Sequence, residues 1–483
     1  MTYVQPLFFL FHSFTTHYIL FTMFAKETYQ SRRKRLKTAV GSGVILLPGN
    51  EESSMNYTDN LYHFRQDSCF LYFTGIDRPS LYLVIDIDNN HETIFGNEAT
   101  MDDIVWTGAT VSIQSQAAAA GITTTEPVSK LTDLLIQYVK QKRTVHFLPP
   151  YRADTAIKLS EWLNISYAAV KQQSSVTLIK AIIVQRAVKS EEEITEIEKA
   201  IDITADMQLK AMQLSRAGIT EYQLAGQLEG VAVSGGGHLA FPTILTVNGQ
   251  YLHNHAGSNI LQNNQLLLCD CGAEAASHYA GDLTRTSSVS GRFSTLQKEV
   301  YNIVLKAQQA AIDAAQPGKK FIAIHLLACE KLTEGLQQLG LMKGDSKEAV
   351  AAGAHTLFFQ CGLGHMLGLD VHDMENLGEQ YVGYTDDLKK STEFGLKSLR
   401  MARTLEPGFV VTVEPGLYFI PELMDMWQSE NKHSAFINYD ALGKFRNFGG
   451  IRIEDDILIT PTGNRVLGKP LAKTTQEIEA LCG

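Results

Sequence analysis

Cysteine is scarce in this chain and widely spaced. The six in 483 residues are Cys69, Cys269, Cys271, Cys329, Cys361 and Cys482. They are too few and too scattered for a disulfide scaffold, and no two pairs show the spacing of a structural zinc site. A reducing compartment, the cytoplasm, is the expectation that follows. Positive charge is also short. Lys and Arg number 42 against 52 Asp and Glu, a net charge of −10. That disfavours nucleic acid as a partner, because such binding needs clustered cations. Long apolar runs are missing too. A bilayer span takes about 20 mainly apolar residues, and no segment after the N-terminus meets that, so no membrane partner is expected. What remains, 45% hydrophobic and 19% charged residues, is ordinary for a globular protein with ample core.

The N-terminus lacks charge altogether: no Asp, Glu, Lys or Arg precedes Lys26. Two apolar runs, Leu7 to Phe11 and Tyr18 to Phe24, flank a polar stretch from His12 to His17. There is no basic n-region or small-residue cleavage site, and the polar middle argues against a span. Residues 1–24 are expected to be a disordered extension or a mis-assigned start before a second methionine, Met23, with an anchor or export signal as the alternative.

From about 25 to 187 short strands mix with helical stretches, an α/β pattern. Val44 to Gly49 and Leu81 to Asp88 read as strands ending in turns. Near 187 the texture changes. Ser190 to Glu193 forms a capping box before an amphipathic helix carrying Ile194, Ile197, Ile201, Met207 and Leu214, with a stop at Gly218. Thr220 to Gln223 and Ser294 to Gln297 open further helices the same way. A fourth runs from about Ile322 to Leu339. Strands are expected over Leu266–Cys271, Tyr279–Val289, Phe409–Phe419 and Gly450–Ile459. Residues 188–483 therefore read as α+β, helices covering one face of a sheet, with 376–404 as a polar surface insertion.

Four acids stand where strands should be apolar: Asp270 after Leu266-Leu267-Leu268-Cys269, Asp282 after Tyr279-Ala280-Gly281, Glu414 after Val410-Val411-Thr412-Val413, and Glu454 after Ile451-Arg452-Ile453. A buried acid is costly unless paired or bound to a cation. One alone would be a strand-end or salt-bridged acid; four point to a cation site. His365 lies in Gly362-Leu363-Gly364-His365-Met366-Leu367-Gly368-Leu369-Asp370-Val371-His372-Asp373, where glycines permit close approach. Oxygen ligands with one imidazole suit ions such as Mn²⁺, Co²⁺ or Fe²⁺. Two ions about 3.5–4 Å apart would use all five groups and activate water for attack on a carbonyl, which points to hydrolysis. Cys269 and Cys271, flanking Asp270 on a strand, would face away from it as small core residues.

These blocks resemble the pita-bread metallopeptidases, the family of methionine aminopeptidase, aminopeptidase P and prolidase, over residues 188–470. The stretch Phe64-Arg65-Gln66-Asp67-Ser68-Cys69-Phe70-Leu71-Tyr72-Phe73-Thr74-Gly75 also resembles the aminopeptidase P N-terminal domain, which favours the proline-specific branch. The resemblance implies a C-terminal pita-bread domain, a smaller α/β N-terminal domain, and two divalent ions, Mn²⁺ foremost. Asp270 would chelate one ion, Asp282 and Glu454 would bridge both, and His365 and Glu414 would hold the other. Glu414 would also accept a proton. His253, chosen over His255 by its distance to Asp270, would contact substrate. His372 would hydrogen-bond the scissile group, and Arg452 would organise the ligands, unless it merely pairs with Asp455 or Asp456. The implied activity is that of an Xaa-Pro aminopeptidase on proline-containing peptides, in a homo-oligomer, at least a dimer. Prolidase is the alternative within that chemistry; a metal-free creatinase-like hydrolase or a non-catalytic binding protein lies outside it. Two departures stand out. The Asp270–Asp282 interval has one extra residue, expected in the turn Ala275–His278, and Cys361 replaces a histidine usual in relatives.

Overall fold

The computed structural model describes residues 22–482. Most of the expected extension, residues 1–21, lies outside them. Phe24 is already packed: its N–H donates to the Tyr29 hydroxyl (3.1 Å), and the Arg32 guanidinium lies 5.0 Å from its ring. Contacts divide the chain into two compact units, one of residues up to 147 with 152–174, the other of 148–151 with 175 onward. The expected boundary at 187 falls later than this division. Helix Val176–Ala187 belongs to the second unit, where Arg186 bonds Asp370 and Asp373 at 3.0 and 2.6 Å.

The first unit is built on a mixed five-stranded sheet in the order 124–126, 91–95, 82–86, 44–48, 145–146. Its centre is antiparallel and both edge pairings are parallel. Asp86 ends a central strand and takes both Arg143 nitrogens (2.7 and 2.5 Å) and the Tyr138 hydroxyl (3.1 Å). The Phe64–Gly75 block forms a short helix, Ser68–Thr74, every residue of which is buried. Asp67 caps it by accepting the Phe70 N–H. Gly75 closes it at φ +66, where a Cβ would lie 2.2 Å from the Tyr29 hydroxyl. Only glycine fits both conditions.

In the second unit Ser190, Thr220 and Ser294 accept the N–H of Glu193, Gln223 and Gln297, whose side chains reach back to the cap. These reciprocal bonds satisfy donors a helix start leaves over and set helices Glu191–Leu214, Glu221–Ser234 and Thr295–Ala314. The fourth helix spans Phe321–Gln338. The first stops short of Gly218 because Ser215 is already extended (ψ 111). Strands Ile244–Thr246, Leu266–Cys271 and Leu283–Ser288 form an antiparallel sheet. Leu266 and Leu268 join one core, while Leu267, Cys269 and Cys271 join the other. That alternation follows the strand's period of two.

The expected strands 409–419 and 450–459 are each broken in two. Val410–Val413 pairs with Asp455–Thr460, and Gly416–Tyr418 pairs with Gly450–Arg452. Between those ladders Glu414, Pro415, Ile453 and Glu454 leave the regular pairing. Pro415 has no N–H to give. The Glu414 N–H donates to Leu363 (2.8 Å) and the Glu454 N–H to Thr284 (3.1 Å). The strand expected from Tyr279 becomes regular only at Leu283. Gly281 sits against a helix, where a Cβ would lie 2.7 Å from the Ile201 nitrogen. Three of the four acids thus stand at strand breaks or entries. Residues 376–404 are not merely a polar surface insertion: Leu377, Val382, Tyr384, Leu399, Met401 and Ala402 are buried, and the Tyr384 hydroxyl donates to Leu399 (2.7 Å). Among the described residues no helix is long and apolar enough to cross a membrane.

Candidate metal centre

Asp270, Asp282, His365, Glu414 and Glu454 all line one cavity of about 200 Å³, together with His253, His372 and Arg452. Ligand atoms of Asp282, His365 and Glu454 lie within 4.8 Å of one another. His365 Nε2 is 3.5 Å from Asp282 Oδ2 and 3.8 Å from Glu414 Oε1. Its Nδ1 is 3.0 Å from the Met366 carbonyl, so the proton sits on Nδ1 and the Nε2 lone pair faces the acids. The His365 backbone N–H donates to Thr412 Oγ1 (3.1 Å), which ties this segment to the strand Val410–Val413 that leads into Glu414.

Asp270, Glu454 and the neighbouring Asp456 have fixed partners. Arg452, 2% exposed, donates from Nη2 to Asp270 (2.5 Å), from Nη1 to the Tyr418 hydroxyl (3.0 Å) and from Nε to Thr284 Oγ1 (3.2 Å). It does not pair with Asp455, which takes Arg285 (2.7 Å) and Lys473 (2.6 Å) instead. The Thr284 hydroxyl donates to Glu454 (2.7 Å). Asp456 Oδ2 accepts the Asp282 N–H (3.1 Å). The turn between the two aspartates falls at Ala275–His278, with the Ala275 N–H on Tyr279 (2.9 Å) and His278 at φ +65.

Burial raises the carboxyl of Asp282 far above its usual range, and the charges of Glu454 and Asp270 add to it. Glu454 is raised by burial and by Glu414 and Asp270. Burial pushes Glu414 up to about 7. Burial and His372 hold His365 well below the ordinary imidazole value, so it stays neutral. Concentrated negative charge beside a neutral imidazole is a cation site.

His253 lines the cavity, where partial desolvation and the charge of Arg452 lower its imidazole. His372 packs edge-on against His365, ring centroids 4.3 Å apart, and its Nδ1 is 2.5 Å from Glu375. Cys361 lines the same cavity, and burial raises its thiol to about 12.

Several site residues escaped the sequence reading. Arg400 and Ser398, from the segment read as an insertion, line the cavity. Arg400 Nε faces Glu375 (3.3 Å) and Glu379 (3.7 Å). Asp373 takes Arg186 (2.6 Å) and Lys189 (2.8 Å), all three nearly solvent-free. Arg186 and Lys189 lie close together in sequence, but Asp373 lies far along the chain, so nothing local marks the pairing.

The profile described as metallopeptidase family M24 matches residues 195–461, and that of the aminopeptidase P N-terminal domain matches 29–146. The chain belongs to metallopeptidase family M24. It is 31% identical to human Xaa-Pro dipeptidase over 471 residues, 95% of this chain and 92% of that one. It is 30% identical to Escherichia coli Xaa-Pro aminopeptidase over 470 residues, 95% of this chain and 98% of the other. Pseudomonas aeruginosa aminopeptidase PepP superposes with a TM-score of 0.78 at 29% identity, covering 95% of this chain and 98% of that one. E. coli aminopeptidase P with the inhibitor Pro-Leu gives the same TM-score, 0.78, at 29% identity and the same coverage, 95% and 98%. The second unit is accordingly an M24 pita-bread fold, and the family implies a divalent metal. The donor set of this M24 domain fits one: Asp270 Oδ1 and Asp282 Oδ1 are buried without a hydrogen-bond partner.

Metal binding must displace the protons that the raised carboxyls retain. Protonated acids favour the metal-free fold at low pH. That stability is lost as pH rises above the ordinary carboxylate range and through the raised values, which for Glu414 is about 7. Mn²⁺ at about 100 times its Kd should stabilise by about 2.7 kcal/mol. The gain in Tm is expected to be larger near pH 8 than near pH 6. Thermal unfolding with and without Mn²⁺ tests this; an equal or smaller gain at the higher pH would count against the site.

Proposed function

We propose that this chain is a two-metal Xaa-Pro aminopeptidase that removes an N-terminal residue ahead of proline. The observation that carries the reading is the cavity wall itself: Asp282, His365 and Glu454 converge within 4.8 Å, with Asp270, Glu414, His253 and His372 around them. Asp270 would hold one ion, Asp282 and Glu454 would lie between two, and His365 and Glu414 would hold the second. The ions are proposed to be Mn²⁺, since hard and borderline ions suit oxygen donors with one imidazole. Bound there, they would supply Lewis-acid polarisation of a carbonyl and acidify water.

The chain's own groups would do the rest. Glu414, raised to about 7, is suited to take a proton from the attacking water at its carboxylate and return it to the leaving nitrogen. The contact to Glu375 fixes the His372 ring and leaves Nε2 to hydrogen-bond the scissile group. His253 would contact substrate, and Arg452 would hold the Asp270 carboxyl in place. The aminopeptidase P-type N-terminal domain carries no candidate catalytic set. Six free thiols support a cytoplasmic location, and a homo-oligomer, at least a dimer, is part of the proposal.

A second reading, prolidase, has an observation in its favour besides the human relative. Arg400 brings a guanidinium to the cavity lining, where it could take the free carboxylate of a dipeptide. Hydrolysis of an Xaa-Pro-Yaa tripeptide and an Xaa-Pro dipeptide by Mn²⁺-loaded protein separates the two. Tripeptide cleavage is expected; cleavage of the dipeptide alone would replace the proposal with prolidase.

Asp282→Ala or Glu454→Ala should abolish stoichiometric metal and lower kcat/KM by more than the roughly 10–100-fold that outer-shell changes cost. Full activity in a folded variant would remove the two-metal mechanism. Cys361→His should leave activity equal or higher, measured on the same peptides; a large loss would mean the site has adapted to the thiol.

A further inference from the structure

Three further metal-ligating side chains meet in the core of the M24 domain, outside the carboxylate centre. His325 and Cys329 are four residues apart on helix Phe321–Gln338, hence on one face of it. His355 comes from the 3₁₀ turn Ala354–Leu357. Their exposures are 1%, 0% and 4%. Ligand atoms of all three lie within 4.8 Å of one another.

We propose that His325, Cys329 and His355 form a buried structural Zn²⁺ site of two imidazoles and one thiolate, separate from the carboxylate centre. Cys329 Sγ and His325 Nε2 are 3.5 Å apart. Zn–N of about 2.0–2.1 Å and Zn–S of about 2.3 Å at a tetrahedral angle require about 3.6 Å. A thiol–imidazole hydrogen bond would explain that pair alone. It does nothing for His355, whose Nδ1 is buried without a partner. Thiolate and imidazole are zinc donors, while the carboxylate-rich centre is suited to harder ions. The cluster to which Cys329 belongs also holds Leu332, Leu357, Phe358 and Phe359; among the described residues three donors converge here, which leaves the fourth position open to a further donor.

The protonation states agree. Burial lowers His325 to about 3 and His355 to about 4, so both keep a lone pair at neutral pH. Burial raises the Cys329 thiol; its proton leaves when zinc binds, and affinity therefore rises with pH. The turn bearing His355 runs on through Phe358, Phe359 and Gln360 to Cys361 and Gly362, which line the active-site cavity. A shared ion would clasp that wall to the helix.

The test uses the full chain produced with Co²⁺, which stands in for zinc and reports thiolate ligation. The carboxylate centre contributes no thiolate. A near-ultraviolet thiolate-to-cobalt charge-transfer band is expected. It should be lost in Cys329→Ala and kept in Cys361→Ala, the control for the cavity thiol. The zinc-loaded parent should bind one equivalent more than Cys329→Ala. His355→Gln, which keeps every thiol, should lose the same equivalent and serves if Cys329→Ala does not fold. No band in the parent, a band that survives Cys329→Ala, or one lost only with Cys361, overturns the proposal.

Discussion

Repulsion among buried carboxylates is the constraint on which the rest of the M24 domain depends. Asp282, Glu414, Glu454 and Asp456 are all raised by burial. The fold gives three acids of the centre a fixed polar partner: Arg452 on Asp270, the Thr284 hydroxyl on Glu454, the Asp282 N–H on Asp456. Outside these lie full ion pairs, Asp455 with Arg285 and Lys473, and Asp373 with Arg186 and Lys189. A partner removed from such a set leaves a buried charge uncompensated, which costs about 3–5 kcal/mol. Of the inner acids Asp270 has Arg452, while Asp282, Glu414 and Glu454 face only the His365 imidazole and the Thr284 hydroxyl, and that is the room a divalent cation fills.

Backbone geometry aims the same acids. A continuous strand would send successive side chains to opposite faces. Glu414 and Glu454 escape this alternation because the ladder is interrupted at both, opposite each other, between the pairs Val413–Asp455 and Gly416–Arg452. The freed amides are taken by Leu363 and Thr284. Those bonds draw in the strand of Asp282 and the segment of His365. Backbone satisfaction and site assembly are therefore one arrangement.

Around this centre the chain shows its own features. Cys361 occupies the cavity wall with a thiol held protonated by burial. Arg400 adds a cation opposite the acids, from a segment whose polar composition suggested a surface loop. Its packing explains the mismatch: the apolar residues Leu377, Val382, Leu399 and Met401 are dispersed among charges, yet all are buried. No long periodic pattern marks them, because the segment holds only short helical turns, Glu375–Leu377, Glu379–Val382 and Leu396–Ser398.

The sequence by itself determined what is local or chemical. Capping boxes at Ser190, Thr220 and Ser294 were legible because the bonds join residues three apart. The five candidate ligands were legible because an acid in an apolar run violates burial preferences. Tertiary structure alone decided what depends on distant pairings. The strand breaks at Glu414 and Glu454 need partners on other elements, Leu363 and Thr284, to accept the freed amides. Asp373 finds Arg186 across 187 positions of sequence. Cysteine spacing argued against a thiolate metal site, and His355 reaches His325 and Cys329 only through packing of a turn on a helix face. Spacing along the chain records ligands within one element; ligands on separate elements are brought together by the core.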